Sequence, residues 1–123
     1  MIDDIIEKFK EFQEKNKEFR DLTIYVPDET LIKTENSELD NDDVKEIINV
    51  WNNHLGTLNL KGVRYVLLKT DPLQLAGVAP SSGNRGIVGT CIKGKYAICL
   101  LDKSANNINA SSIYLQKWIF DKL

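Results

Sequence analysis

Apolar residues recur at helical spacing near both ends of the chain and alternate through its middle, so the pattern predicts strands flanked by terminal helices. Ile2, Ile5, Ile6, Phe9, Phe12 and Phe19 lie among Lys and Glu at a period near 3.6, which predicts one helix over Ile2–Phe19. Such a pattern suits a docked terminal helix or a coiled-coil fragment. The stretch is short of the several heptads a coiled coil needs, which favours docking. At the other end Ile113, Leu115, Trp118 and Ile119 predict a helix from Asn109 or Ala110 to Phe120.

Between them, Leu22–Val26 and Thr30–Thr34 read as a hairpin around Pro27-Asp28. Polar residues 35–41 follow. Asp42 then caps a short helix from Val44 to about Asn53, with Val44, Ile47, Ile48 and Trp51 on one face and Gly56 ending the segment. After Gly62 the chain is strand-rich, with Val63–Lys69 stopped by Asp71-Pro72 and Leu73–Ala79 stopped by residues 80–84. Gly86–Ile92 and Lys95–Leu101 form a hairpin about Lys93-Gly94. Both faces of that last strand are apolar, so it is covered on both sides.

Composition narrows the class. The 123 residues fit one domain, residues 1–123, and 42% hydrophobic with 28% charged residues is ordinary globular composition. A formal net charge of -2 argues against a dedicated nucleic-acid binder. No apolar run approaches the ~18 residues of a membrane span, and Met1-Ile2-Asp3-Asp4 does not begin like a signal peptide. With Gly94 in a two-residue turn, Cys91 and Cys99 fall on opposite faces of the sheet. They are therefore expected to be unpaired thiols, as suits a cytoplasmic protein.

The chemistry-bearing residues are sparse. His54 is the only histidine, so a multi-histidine zinc site is excluded; it reads as a surface or capping residue at a helix end. Asp42 and Asp43 fit a helix first turn better than a catalytic pair. Gly83-Asn84-Arg85-Gly86 has the spacing of a nucleic-acid GxxG clamp, but here it joins two strands. Tyr114 and Trp118, one helical turn apart, are core or a stacking surface. No cofactor is expected, and no enzyme.

The ordered strings resemble the profilin family. Leu22-Thr23-Ile24-Tyr25 with Thr30-Leu31-Ile32-Lys33-Thr34 is similar to its first hairpin, and Glu46 to Asn53 to its middle helix. Leu58 to Lys69, where Gly62 precedes a basic residue and a strand ends on another, is similar to its most recognisable stretch. Gly86-Ile87-Val88, the Lys93-Gly94-Lys95 hairpin and the final helix complete the set, and richness in Asn, Lys and Ile suggests an archaeal-type member. The resemblance implies an α+β fold, a central antiparallel sheet with the N- and C-terminal helices packed on one face. It also implies a monomer that binds monomeric actin and regulates its polymerisation, with acidic phosphoinositide lipids competing for the same surface. A longin- or roadblock-type scaffold for small GTPases is the competing reading, with a five-stranded sheet and dimerisation as its signature.

Carried over from the resemblance, the actin-binding candidates are Trp51, Arg64, Lys69, Arg85, Lys93, Lys95, Asn109, Ser112 and Gln116. Arg64 and Lys69 are five apart, so a regular strand points them to opposite faces. Both serve one surface only if a bulge, a strand end or side-chain length intervenes. The family's proline-rich-peptide groove uses aromatic rings, yet the N-terminus has none, Ile32 stands near the hairpin position, and the chain ends on Leu123. Tyr114 and Trp118 are the aromatic candidates left, and weak or absent proline-rich-peptide binding is expected.

Overall fold

A computed structural model describes residues 3–28, 30–102 and 107–123. In chain order it contains α1 (Asp3–Lys15), β1 (Thr23–Val26), β2 (Thr30–Lys33), α2 (Asn41–Asn52), β3 (Thr57–Leu60) and β4 (Val63–Thr70). There follow β5 (Gln74–Ala79), a 3-10 turn at Pro80–Ser82, β6 (Arg85–Ile92), β7 (Lys95–Leu101) and α3 (Ile108–Ile119). The seven strands make one sheet in the order β2-β1-β7-β6-β5-β4-β3, antiparallel throughout.

The first helix is shorter than its apolar period predicts. Ile2 lies outside the described residues, and the helix stops at Lys15. The Asn16 side chain donates to the Phe12 carbonyl at 3.0 Å and closes the last turn. Phe19 instead joins the sheet by a bridge to Leu101, and the Arg20 N–H donates to the Leu100 carbonyl at 2.9 Å. A second difference is at α2. Asp40, not Asp42, is the cap: its carboxylate accepts the Asp43 N–H at 2.9 Å while the Asp43 carboxylate accepts the Asp40 N–H at 3.1 Å. Asp42 and Asp43 occupy the first turn, where negative charge favours the helix dipole.

The strand β3 is absent from the sequence reading. It pairs with β4 through a tight turn in which Lys61 and Gly62 both have positive φ, 47° and 82°. The predicted β6–β7 hairpin turns the same way at Lys93 and Gly94 (54° and 77°).

The sheet separates two cores. On one side Ile5, Phe9 and Phe12 of α1 and Leu115 and Ile119 of α3 pack on Ala76, Val88, Ala97 and Cys99. The two terminal helices therefore share a face, as expected, and meet through Trp118, whose ring lies 5.8 Å from Phe9 and 4.9 Å from Phe12. On the other side Val44, Ile47, Val50 and Trp51 of α2 pack on Leu58, Tyr65, Leu75, Ile87 and Ile98. Cys99 belongs to the first core, Cys91 packs against the second, and both are free thiols.

Candidate functional site

A change of register in β4 decides which side chains can act together. Leu67 pairs with Gly77, but Lys69 pairs with Ala76, so Leu68 is an extra residue. Residues paired across a ladder point to one face. Ala76 faces the terminal helices, and so does Lys69. On the other side of the bulge Tyr65 and Leu67 pack against the α2 core, which turns Arg64 and Val66 to the helix face. The bulge thus brings Arg64 and Lys69, five residues apart, to the same side of the sheet.

Lys69 is tied into that face. Its ammonium donates to Oε1 of Gln74, and the Gln74 amide donates to Oε1 of Gln116 on α3. Gln74, buried at the start of β5, is thus the link between β4 and α3. Nothing in the sequence marks it beyond a polar residue opening an apolar strand. Asn109, Ile113, Gln116 and Phe120 fall on one stripe of α3. Asn109 is exposed, and Ile113 and Phe120 are 41% and 62% exposed, unusual for large apolar groups on a helix packed to a sheet. Val66 and Leu68 are likewise exposed, so hydrophobic side chains flank the polar relay on β4 and along α3.

Trp51, Ser112 and Arg85 do not join this cluster. Trp51 is 1% exposed; its Nε1 donates to the Asp71 carbonyl at 2.6 Å and its ring lies under Gly89. It is a core residue and presents no contact surface. Ser112 is also fully buried, with an unpartnered hydroxyl, because it lies on the sheet-facing side of α3. Arg85 pairs with Ala79 and lines a cavity with Tyr65, on the α2 face opposite Arg64 and Lys69. Lys93 stands at the hairpin tip, 3.5 Å from the Leu123 carbonyl beyond α3, and Lys95 pairs with Ile92 and faces the terminal helices, as Arg64 and Lys69 do. The sheet therefore separates Arg85 from Arg64, Lys69 and Lys95.

Between the terminal helices runs a groove of about 350 Å³ lined by Lys8, Phe12, Lys15 and Trp118 among others. Its aromatic floor is occupied: the Lys122 ammonium sits 4.7 Å from the Trp118 ring centre and donates to the Trp118 carbonyl at 2.7 Å. Tyr114 is half exposed one turn away. His54 follows α2 with φ 53° and shares a hydrogen bond with the Thr70 hydroxyl at 3.1 Å. Among the described residues no group of three His, Cys, Asp or Glu side chains could hold a metal ion, and no helix is long and apolar enough to cross a membrane.

Sheet order, helix placement and the three-residue relay define an α+β domain whose terminal helices and later strands share one solvent-facing surface. This is the profilin fold. LokiProfilin2, solved in complex with rabbit actin, superposes with a TM-score of 0.78 at 13% identity over 100% of both chains. LokiProfilin1, also solved with rabbit actin, gives 0.75 at 15% identity over 98% of this chain and 97% of that one. Acanthamoeba castellanii profilin IB gives 0.60 at 17% identity over 86% and 91%. No protein-family profile matches the chain, and no curated protein matches it in sequence.

Proposed function

We propose that this chain is a divergent, archaeal-type profilin: a non-enzymatic, monomeric cytoplasmic protein that binds monomeric actin and so regulates its polymerisation. The observation that carries the reading is the surface around Lys69, Gln74 and Gln116. There a hydrogen-bonded polar centre is flanked by exposed Val66, Leu68, Ile113 and Phe120. Exposed apolar groups beside ordered polar groups are the anatomy of a protein interface. The likeness to two profilins solved with rabbit actin supports actin as the partner. Acidic phosphoinositide lipids are a further proposed ligand, bound through basic residues that overlap the actin surface.

The seven-stranded sheet disfavours a longin- or roadblock-type GTPase scaffold. The test is a pull-down with monomeric actin, together with a fluorescent-actin polymerisation assay. Dose-dependent capture with slowed spontaneous polymerisation is expected. Absence of both, with a dimer in size-exclusion chromatography, would return the scaffold reading.

A further inference from the structure

On the face away from the proposed actin surface, the segment before β1, the loop before α2, the β3–β4 hairpin, the start of β6 and the end of β7 line a cavity of about 130 Å³. A single water needs roughly 10–15 Å³ measured this way, so the cavity has room for a small polyatomic ligand. Its polar lining comes from Arg20, Glu38, Lys61, Tyr65 and Arg85.

Three features of that lining point to an anion. Neither the Arg20 nor the Arg85 guanidinium makes a hydrogen bond or an ion pair within 4.0 Å of any described residue. Tyr65 is 3% exposed overall, and its side chain lines the cavity with no hydrogen-bond partner for its hydroxyl among the described residues. The hydroxyl is not among the sealed polar atoms that lack a partner, so it opens onto the cavity and is free to donate there. Lys61 is held at the rim by Asp43 at 3.1 Å, which leaves its charge at the entrance but partly neutralised. Glu38 is the one acid in the lining; Asp43 and Asp40 face Lys61, and Asp21 lies close enough to act on Arg20 and Tyr65. Two planar forks and a phenolic donor around one small volume match a tetrahedral oxyanion, whose oxygens accept in several directions.

We propose that the cavity between Arg20, Tyr65 and Arg85 is a binding site for a phosphate monoester. The two guanidiniums donate to its oxygens, the Tyr65 hydroxyl supplies a third donor, and Glu38 sets selectivity by repelling anions that reach past the guanidiniums. The site shares no residue with the actin surface, so either proposal can fail alone.

Titration calorimetry at low ionic strength with glycerol 3-phosphate is the direct test, with chloride as the competing ion. Saturable binding is expected, weakened at least ~10-fold by Arg20→Gln or Arg85→Gln and a few-fold by Tyr65→Phe. Lys95→Gln is the control and leaves it unchanged. Co-sedimentation with phosphatidylcholine vesicles, with and without phosphatidylinositol phosphate, identifies the source. Binding to phosphorylated vesicles that Arg85→Gln abolishes marks a lipid headgroup, whereas soluble binding alone marks a free metabolite. No saturable binding in either arm, or equal weakening by Lys95→Gln, overturns the proposal. Circular dichroism on each variant separates a lost ligand from a lost fold.

Discussion

Arg64 and Lys69 share one face of the sheet because Leu68 is bulged out of the β4–β5 ladder. Their surroundings differ. Arg64 is exposed, whereas Lys69 is partly buried and holds the Gln74 amide in the orientation that lets it donate to Gln116.

The two positions should therefore respond differently to charge reversal. Lys69→Glu sets a carboxylate against Gln74 Oε1, forces that amide over and breaks its bond to Gln116. A loss of about 2–5 kcal/mol in actin affinity is expected, mainly in dissociation rate. Arg64→Glu should slow association and change salt dependence, with a smaller loss. Arg85→Glu, on the opposite face, should leave actin affinity unaltered. Stopped-flow binding of the three variants checks this, and equal effects at positions 64, 69 and 85 would remove the proposed surface.

Asp21 makes stability depend on mildly acidic pH. Its carboxyl is 1% exposed, and burial lifts its pKa from 3.8 to about 6 against the lowering bond from the Leu100 N–H at 3.0 Å and the Arg20 charge. Glu38 and Asp102 add to the rise. The folded state binds the proton more tightly than the unfolded chain, so this contribution is whole below about pH 4 and is lost as pH rises through 6. The displacement corresponds to about 3 kcal/mol. Asp21→Asn should flatten the dependence of denaturation midpoint on pH between 4 and 6 and raise the midpoint at pH 7. An unchanged slope would mean another group carries it.

Gly89 is held to its size by Trp51. A Cβ at position 89 would lie 3.0 Å from Cζ3 and 3.2 Å from Cη2 of that ring, which Tyr96 and the hydrogen bond to Asp71 keep from moving aside. Gly89→Ala should cost about 1–3 kcal/mol by overpacking. Thermal unfolding followed by tryptophan fluorescence reads both the loss and the disturbed ring.

Proline-rich peptides should bind this chain weakly. Trp118 spends one edge on Phe9, leans against Phe12, and carries the Lys122 ammonium near its face. Stacking a proline there first displaces a cation–π contact worth roughly 0.5–1 kcal/mol at an exposed site. Titration with a polyproline peptide should show no micromolar binding. Lys122→Ala should strengthen whatever binding exists, and a tight wild-type complex would contradict the argument.

The layout was legible where local rules act alone. Lys93-Gly94 announces its turn because a two-residue hairpin needs positive φ at both positions. The helical periods around Phe9 and Leu115 announce the terminal helices, and strand alternation placed Cys91 and Cys99 on opposite faces. Strand β3 escaped notice although Leu58 and Leu60 alternate around Asn59, because four residues before Gly62 read as the tail of a loop. Three acids within four residues, Asp40, Asp42 and Asp43, all could cap α2, and only the reciprocal bond between Asp40 and Asp43 selects one. The site was less legible. A bulge leaves no residue signature at Leu68, the partner of Gln74 lies 42 positions away, and the burial of Trp51 and Ser112 depends on which way each helix is turned.

The sheet also acts as a partition between two separately packed compartments. Layers on either side of a sheet stand ~10 Å from it, near the distance beyond which substitutions combine independently. A change beneath α2 then requires no compensating change beneath α1 and α3, and each compartment can be rewritten while the other holds the chain together. Two small puzzles solved separately admit far more solutions than one large puzzle, which is how 13–17% identity can coexist with superposition along the whole chain.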